Sequence, residues 1–173
     1  MRHRDNGSEI PATSVSTVQN WLSSAVAAVG RLQSDLWALD VRERSRVAQV
    51  AMVLRALVPP GFDVDVDYRR EGIDRRTKQK RNGEAAEVDL VVHHRGRSGA
   101  DHNLLVAEFK VRHDETFDWN KEDGDKVTYF QEQFGYVVAA LVGFGPDDTT
   151  VDPQIMWSIG RRQRDETSHS LLT

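Results

Sequence analysis

The feature that most limits the possible folds is an unbroken run, residues 137–144, in which every position is apolar or glycine. Because a half-exposed strand alternates apolar and polar residues, this run predicts a strand that is buried on both faces. Residues 125–134, just before it, carry apolar residues at helical spacing, and Gly135 can end that helix. A helix that leads into a doubly buried strand is typical of a mixed sheet with helices on both faces.

Two more helices are predicted near the start of the chain. Residues 14–29 have an amphipathic pattern, and residues 41–58 have a second one. Asp40 can cap the second helix, and Pro59 stops it.

The remaining segments predict strands. Residues 62–68 alternate strictly between apolar residues and three aspartates, which indicates a strand with one face towards solvent. Further strands are predicted at 87–93 and 104–111, joined as a hairpin, and at 154–159, at an edge of the sheet. The chain is therefore predicted to be an α/β protein, with a flexible N-terminus at 1–13 and a single domain at 14–173.

Composition excludes several classes of protein. The 173 residues include no cysteine, which rules out a disulfide scaffold, a thiolate metal site and a cysteine nucleophile. No apolar run approaches the roughly 18–20 residues that cross a bilayer, and the polar N-terminus does not resemble a signal peptide. A soluble cytoplasmic protein without membrane partners is expected.

Positive charge is concentrated in one segment although the net charge is −4. Residues 69–81 contain seven basic residues against two acids, and Arg161, Arg162 and Arg164 form a smaller cluster. Such a segment is either a solvated loop or a surface that contacts phosphates, and both interpretations stay open.

Two charged residues interrupt the strand at 104–111. Glu108 and Lys110 are two residues apart, so they leave the strand on the same face. A charge inside an apolar strand carries a desolvation cost and therefore needs a partner or a purpose.

Asp89 interrupts the preceding apolar strand in the same way. A hairpin between the two strands would bring Asp89 near Glu108. Two neighbouring carboxylates repel each other, and Lys110 together with a hard divalent ion such as Mg²⁺ would balance their charge.

Asp89 followed by Glu108-Phe109-Lys110 on consecutive strands resembles the PD-(D/E)XK nuclease superfamily. The resemblance covers residues 41–144, where a helix, three strands, a helix and a strand follow the family's αβββαβ core. It implies a restriction endonuclease-like fold with an extra N-terminal helix. This sequence has valine, not proline, before Asp89.

The resemblance also implies the roles of the site residues. Asp89, Glu108 and the Phe109 carbonyl would bind Mg²⁺ (or Mn²⁺), and Lys110 would be catalytic. Glu43 is a further candidate metal ligand and catalytic acid, although it also fits a capping box after Asp40.

A later helix offers one more candidate. Family members place a polar side chain of this helix near the phosphate, and Lys126, Tyr129 and Gln133 share one helical face. A solvated face is the favoured interpretation of these three, with Lys126 retained as a candidate catalytic residue.

Other polar groups are interpreted as ordinary surface residues. The histidines around the hairpin (His93, His94, His102 and His113) lack a metal-ligand spacing, and the aspartates of 62–68 fit a solvent-facing strand side.

The sequence therefore predicts a Mg²⁺-dependent nuclease, acting on DNA more than on RNA. One alternative is a catalytically inactive nuclease-fold subunit that binds DNA or acts as a scaffold. Another is a protein-interaction module of a defence or repair complex, in which the helix at 14–29 forms a dimer or partner surface.

Overall fold

The structure is a computed structural model that describes residues 13–33, 41–71, 76–77, 83, 85, 87–97, 99–111, 122–144 and 153–160. Within these described residues the chain forms three helices: α1 (Val15–Leu32), α2 (Glu43–Leu57) and α3 (Glu122–Phe134). The strands are β1 (Asp63–Tyr68), β2 (Arg70–Glu71), β3 (Arg76–Thr77), β4 (Val88–His93), β5 (Asn103–Val111), β6 (Val138–Phe144) and β7 (Gln154–Ile159).

Five of the strands form one mixed sheet in the order β1-β4-β5-β6-β7. β5 and β6 run parallel, with α3 as the crossover between them, and the other neighbouring pairs are antiparallel. β2 and β3 form a separate small hairpin. The predicted mixed sheet, the hairpin between β4 and β5 and the edge position of β7 are confirmed.

Helices cover both faces of the sheet and give two hydrophobic cores. α1 and α2 pack on one face, where Leu90, Leu105 and Phe109 are buried together with residues of both helices. α3 packs on the other face through Val127, Phe130 and Phe134. Every residue of β6 is buried, as its apolar sequence predicts.

The apolar face of α1 is buried in the core of the protein. Its buried residues join the core shared with α2 and the sheet; they are Val18, Leu22, Ala25, Val26 and Val29. This packing favours a core role for the helix over the alternative of a partner surface. In the part of the chain that the structure describes, no helix is both long and apolar enough to span a bilayer.

α3 begins earlier than its apolar pattern predicts. The expected start was residue 125, whereas the helix begins at Glu122 and includes Gly124. Glycine costs about 1 kcal/mol inside a helix, and an ion pair between Asp123 of this first turn and Lys110 of β5 favours the extra turn. Gly135 ends the helix with φ +70°, as predicted, and a Cβ there would lie 3.2 Å from Gly99 Cα.

The start of α2 also differs from the prediction. Arg42 is the N-cap and its side chain makes no capping hydrogen bond, so Glu43 is the first helical residue instead of the third residue of a capping box. Asp40 lies outside the described residues.

The alternation of β1 breaks at its end. Asp67 has φ +51°, a left-handed conformation that is uncommon for a residue other than glycine. Tyr68 therefore packs edge-on against His93, on the side where the sequence pattern placed only aspartates. The prediction that this side faces solvent is wrong, because the aspartates are partly buried, in ion pairs with Arg44 and Arg95 and in a hydrogen bond with His93.

Candidate functional site

Asp89 and Glu108 lie side by side where β4 and β5 end their backbone pairing. Leu90 pairs with Ala107, which makes Asp89 and Glu108 the next two facing residues. Beyond this pair, hydrogen bonds between side chains and backbone replace the backbone–backbone hydrogen bonds of the sheet. The N–H of Asp89 donates to Glu108 Oε1 at 3.3 Å, and the N–H of Phe109 donates to Asp89 Oδ2 at 2.7 Å. The hairpin thus brings the two carboxylates together as predicted.

The main chain at Phe109 adds a third oxygen to this point. In an extended strand, the N–H and C=O of one residue point to the same neighbouring strand. Because the Phe109 N–H faces Asp89, its carbonyl oxygen faces the same gap between β4 and β5. The Phe109 side chain is fully buried in the core on the α1–α2 side and holds the strand in place.

Lys110 extends from the same strand face as Glu108 and contacts the start of α3. Its Nζ lies 3.4 Å from Asp123 Oδ1. Burial alone would lower the pKa of Lys110, but Asp123 and then Glu43 outweigh it, and the pKa is raised. Glu43, at the start of α2, is therefore close enough to act on the site electrostatically. The charges of acids from two helices, Asp123 of α3 and Glu43 of α2, therefore favour the ammonium form of Lys110.

Lys126 contacts the carboxylate directly. It lies one turn after Asp123 on α3, and its Nζ is 2.7 Å from Glu108 Oε1. The interpretation of Lys126 as part of a solvated face is therefore wrong. Of the other two candidates on this helix, Tyr129 packs against the core under α3 and Gln133 is exposed.

Burial raises the pKa values of both acids, and the charge of Asp89 adds to the shift of Glu108. Burial, followed by the charge of Asp89, raises the pKa of Glu108 to about 8, although Lys126 acts against the shift. Burial also raises the pKa of Asp89, while the hydrogen bond from Phe109 and the charges of Lys126 and Lys110 oppose it. The site therefore holds more negative charge than its environment favours, and an added cation would stabilise the ionised carboxylates.

The donor atoms are suited to a hard cation. Two carboxylates and one carbonyl supply only oxygen, which is the ligand type that Mg²⁺ takes. Among the described residues, no group of three or more His, Cys, Asp or Glu side chains is arranged to hold a metal. Since Mg²⁺ typically uses one or two carboxylates and keeps several waters, the residues present fit it. The metal itself stays a prediction.

Ion pairs surround the site on the side of α2. Arg44 lies 2.7 Å from Asp67 and 3.3 Å from Glu87, and Arg69 also pairs with Glu87. Arg69, the first residue of the basic segment, thus has its charge balanced at the rim of the site. Residues 72–75 and 78–81 of that segment, and the cluster of Arg161, Arg162 and Arg164, lie outside the described residues.

One residue of the site, Asp123, is not predicted from the sequence. Asp123 lies before the predicted start of the helix at residue 125, although its spacing of three from Lys126 is the signal that could have placed both on one helical face. Arg46 is buried on α2, three residues after Glu43. Arg46 is one of several arginines in this part of the sequence, so its identity alone does not predict that it is buried.

His93 is not an ordinary surface residue, contrary to the prediction. His93 is buried and its Nε2 lies 3.0 Å from Asp65 Oδ2. Asp65 also accepts from Arg95 Nε at 2.7 Å. The pairing of Asp63 with His93 across β1 and β4 brings these residues together.

His94 and His102 form a second contact, with their Nδ1 atoms 3.0 Å apart. Burial and then the charge of His102 lower the pKa of His94. His113 lies outside the described residues.

Comparisons of the chain with protein-family models, with curated proteins and with solved structures give no match. The protein has an α/β fold with a five-stranded mixed sheet in its described residues. The likeness to PD-(D/E)XK nucleases rests on the residues of the chain alone.

Proposed function

We propose that this protein is a Mg²⁺-dependent nuclease of the PD-(D/E)XK type, which hydrolyses phosphodiester bonds in DNA more than in RNA. One observation carries the proposal: Asp89 and Glu108 face each other across β4 and β5, each accepting an N–H from the other strand. Lys110 leaves the same face of β5 two residues later. A structural ion pair needs one acid and one base, whereas this arrangement brings together two acids, of which Glu108 is buried and Asp89 is partly buried.

The oxygen atoms of the site define how a cation would be held. The hydrogen bond from Phe109 uses Oδ2 of Asp89, and both contacts to Glu108 use Oε1. The second oxygens of the two carboxylates and the Phe109 carbonyl are the proposed ligands, with Glu43 as a further acid at the start of α2. Bound Mg²⁺ would supply Lewis-acid stabilisation of charge on the phosphate.

The two lysines have different proposed roles. Lys110 is the proposed catalytic residue: its ammonium, held by Asp123, orients the attacking water or stabilises the developing negative charge on the phosphate. Lys126 neutralises Glu108 in the absence of a cation and is free to approach a phosphate when a cation takes its place. This exchange keeps the buried carboxylate compensated in both states.

Cleavage assays test the proposal. The full chain is incubated with circular and linear DNA, single- and double-stranded, and with RNA, in Mg²⁺ and in chelator. We expect cleavage of DNA in Mg²⁺ only, and loss of at least about 10²-fold in rate for Asp89→Asn and for Lys110→Met. Asp101→Asn, on the exposed hairpin turn, is the matched control and should retain the rate. Wild-type cleavage by the folded Lys110→Met protein would contradict the role given to that lysine.

The alternative of an inactive nuclease-fold scaffold is favoured by one observation. Lys126 already contacts Glu108, as it would in a purely structural ion pair. Mg²⁺ binding distinguishes the two functions. An enzyme should gain thermal stability from Mg²⁺ that Asp89 helps to bind, because a ligand that binds only the folded state stabilises it. If Mg²⁺ raises the melting temperature equally in the wild type and in Asp89→Asn, or in neither, the scaffold is the better explanation.

A further inference from the structure

The loop that joins β4 to β5 brings together the rings of His94 and His102. Their Nδ1 atoms lie 3.0 Å apart, and the ring centroids are 5.2 Å apart. The backbone closes at the same place, since the His94 N–H donates to the His102 carbonyl at 2.8 Å. Two imidazole nitrogens at this distance share one proton, with one ring as the donor and the other as the acceptor.

The fold fixes the orientation of this pair before any ligand arrives. The ring of His94 stacks on Phe62, with centroids 3.9 Å apart and planes inclined by 18°. The turn at Gly61 lies against the same ring, because a Cβ there would be 3.8 Å from His94 Nε2. His102 immediately precedes β5 and His94 immediately follows β4, so both rings are anchored by paired backbone. Two donors held in place lose little conformational entropy on binding.

We propose that His94 and His102 form a two-nitrogen binding site for a divalent transition-metal ion, Ni²⁺ or Cu²⁺. With metal–nitrogen distances of about 2.0–2.1 Å, a separation of 3.0 Å corresponds to an angle of about 94° at the metal. This is close to the angle of about 90° in the square-planar and octahedral geometries that Cu²⁺ and Ni²⁺ adopt, and below the tetrahedral angle of about 109° that Zn²⁺ takes. Water completes the coordination, since no larger His, Cys, Asp or Glu metal-binding group occurs within the described ranges.

The charges near the two histidines have opposite effects on the binding of a cation. Asp63 is the acid whose charge acts on the His94 ring, and it favours a bound cation, whereas Arg97 disfavours one. The metal ion takes the place of the shared proton. The donor ring moves its Nδ1 proton to Nε2, so a neutral pair binds the ion with no net release of protons.

This site is separate from the candidate nuclease site. Asp89 lies near the start of β4 and His94 follows its end, about 16 Å away along an extended strand. The inference therefore does not depend on the proposed function.

Calorimetric titration with Ni²⁺ tests the inference. The full chain is used with His3, His113 and His169, which lie outside the described residues, replaced by glutamine so that the pair is retained and competing histidines are removed. We expect the pair to bind one Ni²⁺ ion, apart from the divalent ion proposed at Asp89 and Glu108, and the melting temperature to rise. Loss of a residue that merely orients a ligand costs about 10–100-fold in affinity, so His94→Gln and His102→Gln should each weaken binding at least about tenfold.

Two results overturn the inference. One is the absence of Ni²⁺ binding to the chain that retains the pair. The other is an unchanged affinity in the His102→Gln variant, which decides the matter if His94→Gln, having lost its stacking on Phe62, fails to fold.

Discussion

Lys126 reaches from α3 to β5 and places its Nζ 2.7 Å from Oε1 of Glu108. The two ends of this ion pair differ in environment, because the Glu108 side chain is 2 % exposed and that of Lys126 is 23 % exposed. The ammonium can therefore leave for solvent at low cost, whereas the carboxylate cannot. The buried acid needs Lys126, a proton or another cation, and this need connects the stability of the fold to the chemistry of the site.

Replacing Lys126 by methionine should destabilise the protein. The substitution keeps much of the side-chain volume but leaves the buried Glu108 without its nearest cation. We expect the free energy of unfolding to fall by about 1–3 kcal/mol near pH 9, where Glu108 is ionised. Urea unfolding at that pH measures the change, and Lys126→Arg, which keeps the charge, should lose much less.

A double variant shows whether the effect comes from this pair. In Glu108→Gln, the carboxyl is already neutral, so adding Lys126→Met should cost little further stability. An equal loss from Lys126→Met with and without Glu108→Gln would mean that the lysine stabilises α3 in another way.

The sequence predicts the fold best where burial removes every polar residue from a segment. Residues 137–144 indicate a doubly buried strand without any knowledge of their neighbours, and β6 occupies almost the same range. Helix ends are predicted less well because they depend on distant residues. The first turn of α3 contains Gly124, which local propensity disfavours, and Asp123 of the same turn pairs with Lys110 of β5.

The same contrast applies to the site. Asp89, Glu108 and Lys110 are detectable because each interrupts an apolar strand, where a charge is unexpected. Asp65 and His93 are 28 positions apart and gave no such signal. Asp65 fitted a solvated strand face, and the contact exists only because β1 pairs with β4 in one particular register.

Removing the charge of Asp123 should lower the pKa of Lys110, because Asp123 is the acid that raises it most. Labelling of the five lysines with ¹³C and titration of their Cε signals measures this pKa directly. Asp123→Asn should give the decrease, whereas Asp125→Asn, exposed on the same helix, should not. Both partners are partly exposed, so stability should change by less than about 1 kcal/mol. An unchanged Lys110 pKa would show that Asp123 does not act on this lysine.

Asp65 should be the most important of the three aspartates in β1 for stability. Its side chain is 14 % exposed and bonds both His93 and Arg95, so Asp65→Asn should cost about 1–3 kcal/mol in urea unfolding at neutral pH. Asp63→Asn is the matched control, because Asp63 is more exposed and lies 3.6 Å from Arg95. Its loss should stay below about 1 kcal/mol. Equal losses in the two variants would contradict the role of the contact with His93.

The hydrogen bonds that Asp65 accepts from Arg95 and His93 should also make the stability of the protein depend on pH in the acid range. Although burial opposes it, hydrogen bonds from Arg95 and His93 hold the pKa of Asp65 well below its usual value of 3.8. The stability that this carboxylate contributes is complete above about pH 4 and is lost as the pH falls further, since the unfolded chain takes up the proton first. Asp65→Asn should therefore differ less from the wild type in acid than at neutral pH, and parallel stability curves in this range would contradict the shift.

The contribution of Glu108 to stability should decrease as the pH rises, which is opposite to that of a carboxyl group with a lowered pKa. Its pKa is raised from 4.5 to about 8, so between these values the folded protein holds a proton that the unfolded chain has lost. The free energy of unfolding should fall as the pH rises through this range, by up to about 1.4 kcal/mol per pH unit, and level off above it. The raised pKa of Asp89 acts in the same direction, whereas the lowered pKa of His94 acts in the opposite one below pH 6.5. The contribution of Glu108 is therefore the difference between the wild type and Glu108→Gln, measured by urea unfolding between about pH 5 and pH 9, and parallel curves would show that this carboxyl titrates at its ordinary pKa.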